Sequence, residues 1–401
     1  MTVSGAWRRA ARGAMLLGAD GETRPTIFAE MSALAAQTGA INLGQGFPDE
    51  DGPTEVLEAA RQAISDGLNQ YAPGTGLPVL RQAIANHQQR FYGLTVDPER
   101  EVLVTAGATE ALAATLLALL EPGDEVVTLE PFYDSYAATI ALAGARHRTV
   151  ALRAPDFQPD LDELRTAITD DTRIVLINNP HNPTGSVLPR ETLELIVELA
   201  DRHDAIIVTD EVYEHLTFGV THTPVATLPG AASRTVTISS AGKTFSTTGW
   251  KIGWLTAPAE LVEAILAVKQ FLTFTNGTPF QAAIAVGLAL PDSYFDDLAL
   301  TLRAKRDILS AGLADAGFEV SNPQGSYFVV ADAAGLGFPD AADFCRRLPE
   351  LAGVVGVPIS AFVADEHKSD YASLVRFAFC KQVPVLERAA ERLAALKPAG
   401  R

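Results

Sequence analysis

The sequence predicts an α/β fold: a large domain with a mostly parallel sheet of seven strands, joined to a small α+β domain. Between about residues 100 and 257, short β-branched runs alternate with helical stretches, which is the pattern of a parallel sheet covered by helices. After Pro258 the pattern changes to long amphipathic helices and a few short strands. The chain of 401 residues is also long enough for about two or three domains.

The elements follow in order along the chain. The run 173–178 is continuous and apolar, which is typical of a strand buried on both faces of a sheet. The strands predicted for the large domain are 101–105, 125–129, 146–150, 173–178, 205–210, 235–239 and 252–257. Helices are predicted over 109–120, 190–203, 259–274 and 293–316, and short strands of the small domain around 326–331 and 374–379.

Domain boundaries are predicted near residues 42 and 290, where the pattern of elements changes. Residues 42–290 form the large domain, and residues 291–401 form the small domain together with the N-terminal segment 1–41. The first 24 residues have no clear periodicity, so they are expected to be either disordered or an arm.

Charge and composition exclude several classes of partner. The formal net charge is −18, from 31 basic and 49 acidic residues, so nucleic acids and anionic membranes would repel the protein as a whole. Small anions respond to local charge and are not excluded. No run approaches the roughly 20 apolar residues of a membrane span. Two cysteines, Cys345 and Cys380, cannot form a disulfide framework, which favours a reducing, cytoplasmic location.

The seven histidines are scattered along the chain, with no cysteine or glutamate at the spacing of metal ligands. The sequence therefore predicts no metal site.

Two residues just past the ends of neighbouring predicted strands are candidates for chemistry. Asp210 ends an apolar strand, and ligands of open α/β sheets bind outside the carboxyl ends of strands. A helix cap is an equally good explanation of its position. Lys243 lies among small and hydroxyl residues in 239–246, which suits a phosphate-binding loop or a Schiff-base lysine. The alternative is a solvated surface lysine.

Three other segments carry candidate binding residues. The loop 178–185 contains two Asn-Pro pairs, which make a loop stiff and hold an amide side chain in place. The turn before the helix at 109–120 places the N–H groups of Ala108 and Thr109 at a helix N-terminus, where an anion can bind. Arg376 lies in an apolar strand, so it needs a carboxylate partner, either another side chain or a substrate.

Together these motifs resemble the fold-type-I, pyridoxal-phosphate-dependent aminotransferases of classes I and II. The resemblance runs from about Phe28 to Lys381 and rests on three motifs. They are His-Asn-Pro-Thr-Gly at 181–185, Thr-Asp-Glu-Val-Tyr at 209–213 and Ser-Ser-Ala-Gly-Lys-Thr-Phe-Ser-Thr-Thr-Gly-Trp-Lys at 239–251. The segments 42–49 and 130–136 look most like those of one subgroup of this family. That subgroup contains the kynurenine, glutamine and methionine aminotransferases and the actinobacterial enzymes assigned to N-succinyldiaminopimelate transamination.

The resemblance implies that residues 42–290 bind pyridoxal 5'-phosphate. Lys243 would bind the cofactor covalently and then act as the base for the α-proton, and Asp210 would keep the pyridinium nitrogen protonated. Asn182 and Tyr213 would hydrogen-bond the ring hydroxyl, and Tyr133 would stack on the ring. The phosphate would be held by Ser240, Lys251 and the amides of Ala108 and Thr109. Tyr71 would reach the phosphate of the partner subunit, which implies an obligate homodimer with segment 1–41 among its contacts.

For the substrate, the resemblance assigns the α-carboxylate to Arg376, Asn182 and the Gly46 backbone, with Phe28 in the pocket. A cis peptide at Asn182-Pro183 is expected, because it would aim Asn182 at the ring. Phe28 and Thr275 stand where the kynurenine aminotransferases have a Trp and a His contributed by the partner.

Both differences argue against a preference for aromatic 2-oxo acids. The segments 23–35, 49–53 and 132–136 look most like those of the succinyldiaminopimelate branch, which favours N-succinyl-L,L-diaminopimelate as the substrate, with glutamate as amino donor. No second cation for its anionic arm can be identified from the sequence. Two alternatives stay open: a broad kynurenine/glutamine/methionine-type aminotransferase, and a cysteine-conjugate C–S lyase on the same scaffold. A non-catalytic regulator is disfavoured, because every catalytic position is filled.

Overall fold

The computed structural model describes residues 3–18 and 20–396. Its strands are β1 (Ile41–Asn42), β2 (Val102–Thr105), β3 (Glu125–Glu130), β4 (Arg146–Arg153), β5 (Gln158–Pro159), β6 (Thr172–Asn178), β7 (Ile206–Asp210), β8 (Thr235–Ser240), β9 (Gly253–Thr256), β10 (Glu319–Val320), β11 (Phe328–Asp332), β12 (Val354–Val355), β13 (Val357–Pro358) and β14 (Leu374–Ala378). Its α-helices are α1 (Trp7–Gly13), α2 (Ile27–Thr38), α3 (Thr54–Ser65), α4 (Pro78–Tyr92), α5 (Gly107–Leu119), α6 (Asp134–Ala143), α7 (Leu161–Ala167), α8 (Arg190–Arg202), α9 (Ala241–Thr244), α10 (Ala259–Lys269), α11 (Thr278–Leu288), α12 (Asp292–Asp315), α13 (Ala341–Ala352) and α14 (Val383–Ala394).

The large sheet has the strand order β2-β9-β8-β7-β6-β3-β4-β5. The pairs β8–β7, β7–β6, β6–β3 and β3–β4 are parallel, and β9 runs antiparallel to both of its neighbours. The predicted α/β fold with seven strands in a mostly parallel sheet is therefore confirmed. The structure adds only β5, a two-residue antiparallel edge strand.

Helices cover both faces of this sheet, which explains why its central strands are apolar throughout. Every residue of β7 and β8 is buried, as expected for strands with helices on either side. On one face α5 packs against α10 and α6, and on the other α11 packs against α3 and α4. The carboxyl ends of β6, β7 and β8 consequently open at one edge, and Asn178 lies directly opposite Asp210 there.

A smaller antiparallel sheet lies in the C-terminal region and has the strand order β10-β11-β14-β13. The N-terminal segment reaches this region through β1, which pairs in parallel with β12. Within the first 24 residues, α1 packs closely against α6: a Cβ at Gly13 would lie 2.5 Å from the Ala137 carbonyl oxygen. The division into domains at residues 42 and 290 stays a prediction.

One helix is shorter than predicted. The sequence pattern predicts 259–274, but α10 ends at Lys269, whose buried ammonium donates hydrogen bonds to the carbonyls of Gly74 and Phe274. These hydrogen bonds hold residues 270–274 in a non-helical turn, so the helix does not continue. Among the described residues, no helix has the length and apolar character needed to cross a membrane.

Candidate active site

A cavity of about 210 Å³ lies at the carboxyl ends of the parallel strands, next to the N-terminus of α5. The sequence-predicted residues that line it are Ala108, Thr109, Tyr133, Asn182, Asp210, Tyr213, Ser240, Lys243 and Lys251. They converge because the carboxyl ends of parallel strands share one edge of the sheet. The remaining candidates, Phe28, Gly46, Arg376 and Tyr71, lie outside the lining.

Asp210 provides a fixed, buried carboxylate in the cavity. Its side chain accepts a hydrogen bond from the Tyr136 hydroxyl at 2.7 Å, and Asn178 donates to its backbone carbonyl at 2.7 Å. Burial raises the pKa of Asp210 to about 6, and the bond from Tyr136 opposes this rise. A carboxylate so placed can hold a protonated nitrogen of a ligand.

Lys243 provides an amine with reduced basicity. It lies in α9, directly after β8, and its Nζ is 5.7 Å from the ring centre of Tyr213 and 5.5 Å from that of Tyr327. No ion pair to it exists among residues 3–18 and 20–396. Burial lowers the pKa of Lys243 from 10.5 to about 8, so a neutral, nucleophilic amine is accessible near neutral pH.

The N-terminus of α5 and Lys251 form a cationic end of the cavity. Gly107 begins the helix with φ of +74°, and a Cβ there would lie 3.0 Å from the Lys251 ammonium. The same ammonium lies 3.4 Å from the Thr109 hydroxyl. Free N–H groups of a helix N-terminus beside a lysine suit a phosphate. Thr109 and Lys251 are both exposed in the single chain, so this end of the cavity is open.

Asn182 is positioned by the stiff loop that follows β6. Its backbone N–H donates to the side-chain carbonyl of Asn178 at 2.7 Å, so Asn178 orients both Asp210 and the loop. The peptide Asn182-Pro183 is cis, which confirms the expectation from the sequence. The Asn182 side-chain oxygen faces the small sheet and accepts a hydrogen bond from Arg376.

Arg376 is the most informative residue near the cavity, because its charged side chain is only 1% exposed. Its guanidinium donates to Asn182 Oδ1 at 2.9 Å and to the Gly44 carbonyl at 2.7 Å, and its Nε has no hydrogen-bond partner among the described residues. Ion pairs to Arg376 are absent across the described part of the chain. A buried guanidinium bonded only to neutral groups is costly unless an anion joins it. Of the two partners considered from the sequence, a side-chain carboxylate is thus not found within residues 3–18 and 20–396.

Three phenyl rings surround the Arg376 guanidinium and limit where an anion can approach. Its Cζ lies 4.1 Å from the ring centre of Phe328, 4.9 Å from that of Phe362 and 5.3 Å from that of Phe28. Phe28 therefore lies beside the group expected to bind a carboxylate. The rings also exclude water, which strengthens any charge–charge interaction there.

We define the strap as residues 43–50, which cross this region and are bonded repeatedly to the C-terminal part of the chain. Tyr327 donates from its hydroxyl to the Gly46 carbonyl, and a Cβ at Gly46 would lie 2.5 Å from the Phe328 ring, so only glycine fits. Lys381, only 7% exposed, donates to the Phe47 carbonyl at 2.7 Å. The sequence reasoning identified no second cation near the pocket; Lys381 is a buried one beside the strap.

Tyr71 lies elsewhere in the single chain. It is 84% exposed and packs edge-on against Phe274, in a hollow of about 550 Å³ that Thr275 also lines. Neither residue lines the cavity of its own chain.

The sequence assigned no role to three residues that shape the site: Tyr136, Asn178 and Tyr327. Asn178 could have been found, because it ends a strand adjacent to the strand of Asp210. Tyr136 lies in the first turn of α6, three residues after Tyr133, the N-cap of that helix, and this short separation from a candidate residue could have marked it. No local pattern marks Tyr327, since its partner Gly46 is 281 residues away in the sequence.

Several known proteins are similar to this chain. The family model described as aminotransferase class I and II matches residues 38–393. A probable N-succinyldiaminopimelate aminotransferase of Mycobacterium tuberculosis is 51% identical, over 92% of this chain and 96% of that protein. A methionine aminotransferase of Escherichia coli is 42% identical, over 92% and 95%. The solved structure of the N-succinyldiaminopimelate aminotransferase from M. tuberculosis has a TM-score of 0.91 and 49% identity, covering 98% of this chain and 99% of that one.

Proposed function

Since the chain belongs to the class I and II aminotransferases, we propose that it uses pyridoxal 5'-phosphate to move an amino group between an L-amino acid and a 2-oxo acid. The buried guanidinium of Arg376, which has no carboxylate partner among the described residues, is the observation that carries the proposal. An α-carboxylate is the group that all amino acids and 2-oxo acids have in common. Arg376 would bind it with the planar, two-pronged geometry that suits a carboxylate.

The residues of the cavity fit the cofactor. Asp210 offers an anion for the ring nitrogen, Lys243 an amine of lowered pKa for the aldehyde carbon, and the α5 N-terminus with Lys251 a cradle for the phosphate. Tyr133 lines the same cavity and would stack on the ring. When bound, the cofactor supplies an electron sink for the pair of electrons left at the substrate Cα.

The protein's own groups then act on the substrate. Nζ of Lys243 removes the proton from the Cα of the bound amino acid, which its lowered pKa of about 8 permits near neutral pH. Asp210 stabilises positive charge on the ring nitrogen of the ligand. Tyr213 is 3% exposed, and burial holds the pKa of its hydroxyl well above 10. The hydroxyl therefore stays protonated and can donate a hydrogen bond to the ring hydroxyl of the cofactor.

We favour N-succinyl-L,L-diaminopimelate as the substrate of one half-reaction. Glutamate and 2-oxoglutarate would be the amino acid and 2-oxo acid of the other half-reaction. The support is the name of the relative at 51% identity and the place of Phe28 and Thr275 in this chain. Broad use of methionine, glutamine or kynurenine is the alternative, supported by the relative named methionine aminotransferase at 42% identity.

We also propose a homodimer in which each chain completes its partner's site. Four large apolar side chains are exposed on the single chain: Tyr71, Phe271, Leu272 and Phe274. Tyr71 does not line the cavity of its own chain, so we expect it to contact the cofactor phosphate in the cavity of the partner. A second copy would cover this apolar surface. Replacing Tyr71 by Phe should weaken phosphate retention, measured by cofactor release on dilution.

Half-reaction spectroscopy tests the function directly. The purified protein should be yellow, and single amino donors should shift the band, with the succinylated substrate and glutamate reacting faster than kynurenine or methionine. Lys243→Ala should lose the covalently bound band, whereas Lys368→Ala, at an exposed lysine paired with Asp365, should keep it. A colourless wild type that takes up no added cofactor would contradict the proposal. Release of pyruvate and thiol from a cysteine conjugate without any 2-oxo acid would instead favour the lyase.

A further inference from the structure

A cluster of three metal-ligand side chains lies behind the cavity: His87, Glu214 and His215. One ligand atom from each lies within 4.8 Å of the others, and the Nε2 atoms of His87 and His215 are 2.7 Å apart. His87 lies in α4, and Glu214 directly follows Tyr213. The two histidines are 128 residues apart in the sequence, which is why the spacing of histidines predicted no metal site.

The cluster contains a buried carboxylate, that of Glu214. Glu214 is 5% exposed, and its two carboxylate oxygens accept hydrogen bonds from the Tyr92 hydroxyl at 2.7 Å and the Ser239 hydroxyl at 2.5 Å. No lysine or arginine is ion-paired with Glu214 in the described ranges. A buried carboxylate in this state is costly unless a positive charge lies beside it.

The adjacent imidazoles are suited to bind a metal. His87 is 2% exposed, and the centre of the His215 ring lies 4.4 Å from that of the Phe295 ring. Nδ1 of His87 is buried and has no hydrogen-bond partner among residues 3–18 and 20–396. Neutral imidazole is the form of histidine that coordinates metals.

We propose that His87, Glu214 and His215 bind a divalent transition-metal ion of the zinc class. Two imidazoles and one carboxylate form a known zinc ligand set, with water in the fourth position. Tetrahedral coordination requires the two Nε2 atoms to be about 3.3 Å apart, a little more than half an ångström wider than they are here. Tyr92 and Ser239 already hold the carboxylate, as outer partners of metal ligands do. His215, which is partly exposed, gives access to solvent.

The ion would link α4 to the segment that carries Asp210 and Tyr213. Its role would be to fix that segment from behind, because the cluster does not line the cavity. We therefore expect metal binding to change stability and cofactor retention more than the chemical step.

Cobalt provides a visible probe, because Co²⁺ bound to nitrogen and oxygen ligands in a tetrahedral site absorbs at longer wavelength than the cofactor. Holoenzyme freed of metal with a chelator is titrated with Co²⁺, and then with Zn²⁺ as a colourless competitor. We expect an absorption band that saturates at one Co²⁺ per chain and disappears with Zn²⁺. Zn²⁺ should also raise the Tm at fixed protein concentration.

The variant His215→Gln removes one ligand at a partly exposed position and should weaken Co²⁺ binding at least about 100-fold. The matched control is His203→Gln, since His203 is bonded to Asp170 on the surface, away from the cluster. This control should bind Co²⁺ as the wild type does. An unchanged far-ultraviolet circular dichroism spectrum shows that each variant is folded. Absence of a Co²⁺ band in the wild type, or an undiminished band in His215→Gln, would overturn the proposal and leave a proton shared by the imidazoles as the counter-charge.

Discussion

Burial of Lys243 should lower the stability of the cofactor-free enzyme, and the variant Lys243→Met should recover that loss. A pKa of about 8 in the folded chain, against 10.5 for an ordinary lysine, corresponds to about 3 kcal/mol of free energy at neutral pH. Methionine has similar length and no charge, so the cavity keeps its shape while the desolvation cost disappears. We expect Lys243→Met to unfold with a free energy about 3 kcal/mol higher than the wild type at pH 7.

The pH dependence gives this prediction a definite sign. Below pH 8, Lys243 is protonated in both the folded and the unfolded chain, and its burial cost is present in full. Between pH 8 and 10.5 the folded chain has released the proton while the unfolded chain retains it, so the wild type gains stability as pH rises. The difference between the two proteins should therefore shrink from about 3 kcal/mol at pH 7 to almost nothing by pH 10.5.

Urea denaturation of both proteins without cofactor, at equal protein concentration and several pH values, measures this difference. Lys368→Met is the matched control, because that lysine is exposed, and its effect should stay within about 0.5 kcal/mol. A difference below about 1 kcal/mol at pH 7, or one that does not change with pH, would refute the reasoning.

Three further predictions concern activity. Asp210→Asn should lower kcat about 100-fold or more, because the anion facing the cofactor is lost. Absorbance changes in a single turnover measure the rate, and an unchanged rate would count against the role assigned to Asp210. Arg376→Met should raise KM for amino acids and 2-oxo acids about 30-fold or more, whereas Arg306→Met, at an arginine bonded to the Pro323 carbonyl, should not. Tyr136→Phe should raise the pKa of Asp210 further, because the hydroxyl that now opposes the effect of burial is removed. The acid side of the kcat profile should then move to higher pH and kcat at neutral pH should fall about tenfold; a superimposable profile would contradict this.

The sequence predicted the large sheet well, because local patterns determine its elements. The strands β6 and β7 are continuous apolar runs that end in Asn178 and Asp210, and a polar residue after such a run marks the carboxyl edge of a sheet. Helix α11 has no such signature. It is buried on most sides and largely apolar, and its polar Gln281 is buried as well, so no amphipathic period distinguishes it from other apolar segments.

Contacts between distant segments were beyond the reach of sequence patterns. The bond from Tyr136 to Asp210 joins residues 74 apart, and the three rings around Arg376 come from segments spread over most of the chain. Such contacts depend on how helices and loops pack after the strands have formed. The roles of the site residues stay predictions, although the structure brings Asp210, Lys243 and Asn182 to one cavity.

The strap has a consequence for how the protein is made. Gly44 leaves the ribosome early, but the guanidinium that binds its carbonyl belongs to a residue 332 positions later. The strands of the large sheet, β2 to β9, end at Thr256 and have no such requirement. During synthesis the sheet and its cofactor-facing edge can assemble first, whereas the carboxylate site around Arg376 can form only after residue 376 has emerged. A nascent chain stalled before that point would therefore be expected to gain a cofactor cavity before it gains any selectivity for its substrates.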